Sequence, residues 1–284
     1  MEMSPRLRPV EGSFAGEVLG IDLSRELDRS TVDWLERSFA AHPVLVFRGQ
    51  KLEAAHVAAF GRRFGVPRPH ALLRYRHPEI DDVSYITNVD ANGKVDPFGV
   101  VRATTWHTDA TYEAELPRLT MLYALEVPSK KGGTMFADMR AAYDALPDAM
   151  KRRLDRLTAL HGYATGPAGS YYAGQLTKEQ ENKYPERTWP AVVVHPYSGR
   201  KILFVNPMHV HGFVGMARDE AWALVSSLAE HAIGDRFVYY HQWRVGDVVM
   251  WDDMATMHRG AGDSAPEERR IMMRTIVYPE KAAA

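Results

Sequence analysis

The segment Trp106-His107-Thr108-Asp109 sets an imidazole and a carboxylate two residues apart. On a strand, side chains at i and i+2 emerge on one face, so such a pair can grip a metal ion from one side. A second histidine from elsewhere in the chain would complete a two-histidine, one-carboxylate triad. That set leaves about three adjacent positions of an octahedral ion open, as non-haem Fe(II) oxygenation requires. By itself the spacing also fits a surface turn with an incidental pair.

A partner histidine stands near the C-terminus, in Trp251-Asp252-Asp253-Met254-Ala255-Thr256-Met257-His258-Arg259-Gly260. The run DVVMWDD reads as a strand that enters a short turn before His258. Twelve residues later Arg270 opens a second β-like run, RIMMRTIV, with Arg274 four positions on. On a strand both guanidiniums face one side. Two inward-facing cations on a barrel strand are costly unless they meet anions. They read equally as solvent-facing residues, or as partners of Glu267 and Glu268.

These residues need a scaffold, and the pattern along the chain suggests one. Spacing predicts helices over Ser30 to Phe39, with Ser30 as N-cap, and over Leu52 to Phe64, with Gly65 as the stop. Further helices are predicted over Ala141 to Leu157, broken near Pro147, and over Ala217 to Ile233. Val44 to Phe47 is a compact β run. Seven more strands are predicted near residues 83–86, 118–127, 191–194, 202–205, 237–243, 247–251 and 270–277. There is no βαβ rhythm and no glycine-rich phosphate loop. Many strands and few helices argue for a mainly β fold with helical insertions: a double-stranded β-helix, or jelly roll, of cupin-like architecture. One catalytic domain over 1–284 is expected, with insertions at about 30–64, 138–158 and 217–233.

Composition narrows the chemistry. The 284 residues hold 35 Lys and Arg against 36 Asp and Glu, a net charge of −1. Near-neutrality removes the electrostatic case for a nucleic-acid binder. With no cysteine there is no disulfide framework, Cys-ligated zinc, iron–sulfur cluster or thiol nucleophile. Any metal must therefore be held by His nitrogen and carboxylate oxygen. No uninterrupted apolar window is long enough for a membrane span, and the first residues lack an apolar leader segment. A cytoplasmic protein is expected.

The chain resembles the taurine dioxygenase and 2,4-dichlorophenoxyacetate dioxygenase family of Fe(II)/2-oxoglutarate-dependent enzymes. The resemblance runs nearly end to end. It is carried by VLVFRGQ (Val44 to Gln50), AAFGRRFG (Ala58 to Gly65), WHTDATY (Trp106 to Tyr112), GGTMFADMRAAYDALP (Gly132 to Pro147), HPYSGRKILFVN (His195 to Asn206), the WDD–MHRG segment and RRIMMRT. It implies His107, Asp109 and His258 as iron ligands, and Thr134 and Arg270 as residues that hold 2-oxoglutarate. It also implies Arg274 as the substrate's anion partner and His70 as a substrate contact. A planar guanidinium suits a two-point grip on a carboxylate. The implied cofactor set is Fe(II), 2-oxoglutarate as co-substrate and O2. Relatives imply a homodimer or larger.

Three departures stand out. The family's W-D-N-R is here Trp251-Asp252-Asp253-Met254. The loop before the arginine pair is one residue longer, which makes Arg269 a rival for the role given to Arg270. Ala103-Thr104-Thr105 lacks an asparagine found in taurine enzymes, and FADMRAAYDALP is closest to the phenoxyalkanoate branch. The resemblance therefore implies hydroxylation of an aryloxyalkanoate, with ether cleavage to a phenol and an oxo acid. Two alternatives remain: a sulfonate or alkyl sulfate substrate, or a non-redox, cupin-like metal-binding protein. His209 and His211 read as part of a loop lining the substrate pocket, with Met208, Phe213 and Val214 as apolar contacts. His195 reads as pocket-facing or as a strand-end polar residue. The remaining histidines read as surface or hydrogen-bonded structural residues.

Overall fold

The computed structural model describes residues 4–69, 73–90, 92–101, 103–169 and 178–280. The first half of its strands are β1 (Arg6–Pro9), β2 (Gly16–Leu19), β3 (Val44–Phe47), β4 (Val66–Pro67), β5 (Ser84–Thr87), β6 (Leu119–Glu126), β7 (Thr134–Asp138) and β8 (Thr158–His161). The second half are β9 (Arg187–Pro190), β10 (Val192–Val194), β11 (Lys201–Leu203), β12 (Val210–Phe213), β13 (Val238–His241), β14 (Val248–Asp252), β15 (Thr256–Gly260) and β16 (Ile271–Tyr278). Helices are α1 (Arg29–Ala41), α2 (Ala54–Gly61), α3 (Pro97–Val101), α4 (Met139–Asp144), α5 (Asp148–Leu154), α6 (Lys178–Asn182) and α7 (Arg218–Ala232).

The major sheet runs β1-β2-β3-β14-β6-β16-β4, with β5 also beside β16. A three-stranded sheet, β13-β7-β15, lies across from it, and smaller sheets are β12-β8-β9 and β10-β11. Together they make the jelly-roll core of a mainly β protein.

Strand alternation sorts the core into layers. On β14, Val249 and Trp251 join Val44, Val46, Phe136 and Met272 in the cluster between the two sheets. Val248 and Met250 face the other way, onto Leu35, Phe39, Val57, Phe60 and Phe64 of α1, α2 and the turn after α2. A third cluster seats α4 and α7 outside the small sheet, through Met139, Ala221, Val225 and Leu228. Each long strand thus has one face toward the barrel interior and one toward helices.

Several local expectations change. The N-cap of α1 is Asp28, whose side chain accepts from Thr31 N, because the helix begins one residue before Ser30. Helix α2 ends at Gly61, and Gly65 serves a different need. Its φ is +147°, and a Cβ there would sit 2.2 Å from Tyr278 O, so only glycine lets the chain cross β16 this closely. Pro147 is the N-cap of α5, which separates α4 from α5. Strands β7, β8, β9, β12 and β15 lie where no strand was predicted. All have four or five residues. Phe213 is core, not a pocket contact, and Val214 is 60 % exposed.

Candidate metal centre and active site

His107 and His258 are backbone partners. His107 N donates to His258 O at 3.0 Å, and His258 N donates to His107 O at 2.8 Å. This isolated antiparallel bridge brings the two rings to a centroid distance of 4.3 Å. His107 is therefore not on a strand with Asp109. The chain leaves the bridge in a turn, where Ala110 has φ +53°, and the turn swings Asp109 back toward both rings. Asp109 Oδ1 lies 3.5 Å from His107 Nε2, and Oδ2 lies 3.8 Å from His258 Nε2.

The donor set fits a divalent metal. One ligand atom from each residue lies within 4.8 Å of the other two. Metal bonds of about 2.0–2.2 Å put neighbouring donors about 3 Å apart, so little movement is needed. The His107 Nδ1 contacts Thr105 O at 2.7 Å, a bond that requires a proton on Nδ1 and leaves Nε2 as the free lone pair. Burial, and then the charge on His107, pushes the His258 imidazole down to about 3, so it is a neutral ligand at working pH. Burial acts to raise the Asp109 carboxyl, but the His107 hydrogen bond and the charges of His258, His107 and Arg274 outweigh it. Asp109 is held ionised, well below the usual carboxylate range.

Two residues that sequence reasoning missed support Asp109. Thr120 Oγ1, on the inward face of β6, lies 3.2 Å from Asp109 Oδ2 and 2.8 Å from Asp253 Oδ2. One hydroxyl hydrogen cannot serve two ionised carboxylates. Burial, with the charges of Asp109 and Asp252, pushes the Asp253 carboxyl far up. Thr120 Oγ1 is within donating distance of both carboxylates, and a proton on Asp253 would free the Thr120 hydroxyl for Asp109; Trp251 Nε1 donates to Asp253 Oδ1 at 3.0 Å. The only signal in the sequence was the departure at Asp253 itself. Thr120 gave none.

Arg270 and Arg274 both turn inward. Arg270 Nη2 donates to Thr134 Oγ1 at 3.3 Å, and Nε donates to Gly132 O at 3.3 Å. Trp243 Nε1 also donates to Thr134 Oγ1, at 2.9 Å. Burial lowers the Arg270 guanidinium to about 10, still protonated at neutral pH. It lines a small cavity of about 50 Å³ with Gly132, Gly133, Gly260 and Gly262. The rival Arg269 points to the surface, where Nε and Nη2 bind Glu126 at 2.6 and 3.1 Å. The sequence left these two open, and the parity of β16 separates them.

Arg274 lies with Asp109 on a larger cavity of about 370 Å³, also lined by Arg68, Ser84, Tyr112, Glu113, Tyr184 and Tyr278. Its Nε donates to Ser84 Oγ at 3.4 Å, and it makes no ion pair among the described residues. His70 lies outside the described residues. His209 is buried beside the metal site, with its ring 6.5 Å from His107 and 4.9 Å from Tyr112, and Ala164 N donates to its Nδ1. His211 pairs with Glu186 at 2.9 Å. His195 pairs with Asp252 at 2.8 Å, a structural contact at a strand end. His161 is fully buried with no hydrogen-bond partner at either nitrogen among the described residues, unlike the surface or satisfied role expected for it.

Comparison with known proteins matches this geometry. Residues 6–276 match the model of the family described as taurine catabolism dioxygenase TauD, TfdA family. The chain is 37 % identical over 288 residues to the alpha-ketoglutarate-dependent 2,4-dichlorophenoxyacetate dioxygenase of Cupriavidus pinatubonensis, covering 97 % of this chain and 98 % of that one. It is 31 % identical over 279 residues to an alkylsulfatase of Acinetobacter baylyi, covering 95 % of this chain and 84 % of that one. The crystal structure of AAD-2 in complex with Mn(II) and N-oxalylglycine superposes with a TM-score of 0.86 at 28 % identity, over 99 % of both chains. The protein belongs to the TauD/TfdA family and is an Fe(II)- and 2-oxoglutarate-dependent dioxygenase.

Proposed function

We propose that the substrate is an aryloxyalkanoate, cleaved at its ether bond. The observation that carries this reading is Arg274, a guanidinium with no carboxylate partner among the described residues, on the same cavity as Asp109. A volume of about 370 Å³ is within the range of small-molecule sites, roughly 300–1,000 Å³. A relative 37 % identical is named for 2,4-dichlorophenoxyacetate.

Each residue then has a role. His107, Asp109 and His258 hold Fe(II). The metal, with 2-oxoglutarate and O2, supplies the oxidising chemistry that hydroxylates the substrate and releases succinate and CO2. Arg270 and Thr134 take the far carboxylate of 2-oxoglutarate, with Trp243 fixing the Thr134 hydroxyl. Arg274, steadied by Ser84, takes the substrate's carboxylate and turns its ether-bearing carbon toward the metal ligands. Thr120 holds one oxygen of Asp109, and Phe136 and Trp251 pack on the His258 ring and keep water from it. Hydroxylation beside an ether oxygen gives a hemiacetal, which collapses to a phenol and an oxo acid.

A second reading, an alkyl sulfate substrate, is favoured by the similarity to an alkylsulfatase. A guanidinium grips sulfate and carboxylate alike. A screen for succinate release over phenoxyacetate, both phenoxypropionate enantiomers, taurine and alkyl sulfates tests both. Turnover of a phenoxyalkanoate with release of a phenol is expected. Turnover of sulfates or taurine alone would overturn the aryloxyalkanoate reading.

A further inference from the structure

The cavity that joins Asp109 to Arg274 also exposes a carboxylate, Glu113, that the reaction above does not use. Glu113 follows Asp109 by four residues, and its N–H donates to Ala110 O at 2.9 Å. The turn that aims Asp109 at the metal site therefore also sets Glu113 on the cavity wall. Tyr278 donates its hydroxyl to Glu113 Oε2 at 2.9 Å. That bond marks the carboxylate as an acceptor and occupies one oxygen. Oε1 has no hydrogen bond among the described residues, and Glu113 makes no ion pair there. Arg68, whose charge also acts on Glu113, is ion-paired with Glu115 and lies 3.7 Å over the Tyr278 ring, and Arg76 lines the same cavity.

A sheltered carboxylate oxygen without a donor is costly, and a ligand that donates to it removes the cost. A ring bearing only chlorine offers no such donor and would leave the carboxylate facing an apolar edge. We propose that Glu113 is a specificity-determining residue that selects a small organic anion carrying a hydroxyl or amino donor in addition to the group bound by Arg274. This rests on the reading of Arg274 as the anion subsite. It narrows the substrate from aryloxyalkanoates in general to hydroxy- or amino-substituted ones.

The test is calorimetric binding at pH 8 to the anaerobic holoenzyme with Fe(II) and 2-oxoglutarate. The probes are 3- and 4-hydroxyphenoxyacetate against their chloro counterparts, and 4-hydroxybenzenesulfonate against 4-chlorobenzenesulfonate. In wild type a hydroxyl probe binds at least about tenfold tighter than its chloro partner, the strength of one charge-assisted hydrogen bond. Glu113→Leu removes or reverses that preference, and Glu113→Gln, which keeps an acceptor oxygen, retains it in part. Should Glu113→Leu fail to fold, Glu113→Ala withdraws the acceptor with less bulk. Binding of the sulfonates alone, with the hydroxyl preference intact, would sink the aryloxyalkanoate reading and leave Glu113 standing. Equal binding within every pair, or no binding of any probe, overturns the proposal. So does a Glu113→Leu loss equal for both members of a pair, the result expected if Glu113 only positions Tyr278.

Discussion

His107 and His258 exchange both backbone hydrogen bonds, at 3.0 and 2.8 Å, so one two-residue bridge fixes the separation of the two ligand rings. The metal site is thus tied to the pairing of β15 with the chain before Asp109, and the ligands cannot drift apart without breaking that pairing. Both rings are also buried.

Replacing a ligand should remove the metal outright. Asp109→Ala or His258→Ala is expected to weaken Fe(II) by more than the roughly 10–100-fold seen when a supporting residue is lost. Anaerobic titration, read by the visible charge-transfer band of the Fe(II)–2-oxoglutarate complex, checks it. A variant that keeps the band and full succinate formation would refute the ligand set.

The Thr120 bridge gives a subtler pair. Thr120→Val leaves Asp109 without its hydroxyl donor and should weaken Fe(II) about 10–100-fold. Asp253→Asn should be far milder, because the amide still donates to Thr120 and accepts from Trp251 Nε1. Equal losses in the two variants would contradict the hydrogen-bond order drawn here.

Arg270 and Arg269 should separate cleanly. Arg270→Ala removes a charged grip on 2-oxoglutarate, of about 1.5–3 kcal/mol, and should raise its KM by about 10–150-fold. Arg269→Ala breaks only an exposed pair with Glu126 and should leave that KM unchanged. For Arg274→Ala the expected defect is in substrate KM, with the 2-oxoglutarate KM retained.

His161 predicts an acid-sensitive fold. Burial, reinforced by the charge on His211, depresses its imidazole to about 3. In the unfolded chain it takes a proton near pH 6.5, and in the folded chain it does not, so stability is lost as pH falls through that window. His161→Leu should therefore gain on wild type by about 2 kcal/mol near pH 5 relative to pH 8. Thermal unfolding at the two pH values measures it, and a pH-independent difference would refute it.

The buried pair Asp138–Arg140 supplies a stability control. Arg140 binds Asp138 through Nε and Nη2, both at 3.0 Å, and reaches Ala40 O, tying α4 to the end of α1. Arg140→Ala strands a buried carboxylate and should cost about 3–5 kcal/mol. Denaturant unfolding reads the loss.

By itself the sequence determined the chemistry available. The absence of cysteine left only nitrogen and oxygen ligands, and the four-residue spacing of Arg270 and Arg274 put both on one face of a strand. Leu119–Glu126 and Ile271–Tyr278 were legible as strands, because each is an eight-residue, largely apolar run. The five-residue strands β7 and β15 were not legible, yet they carry Thr134 and His258. Tertiary structure decided which residues meet. Asp109 reaches both histidines through a turn, not through strand alternation. Thr120 matters only because it faces Asp109 and Asp253 across the barrel. Local spacing fixes the side of an element on which a group lies. Register between distant strands is set by how the whole core packs, and that alone brought His258 opposite His107, Arg270 onto Thr134, and Glu113 onto the cavity of Arg274.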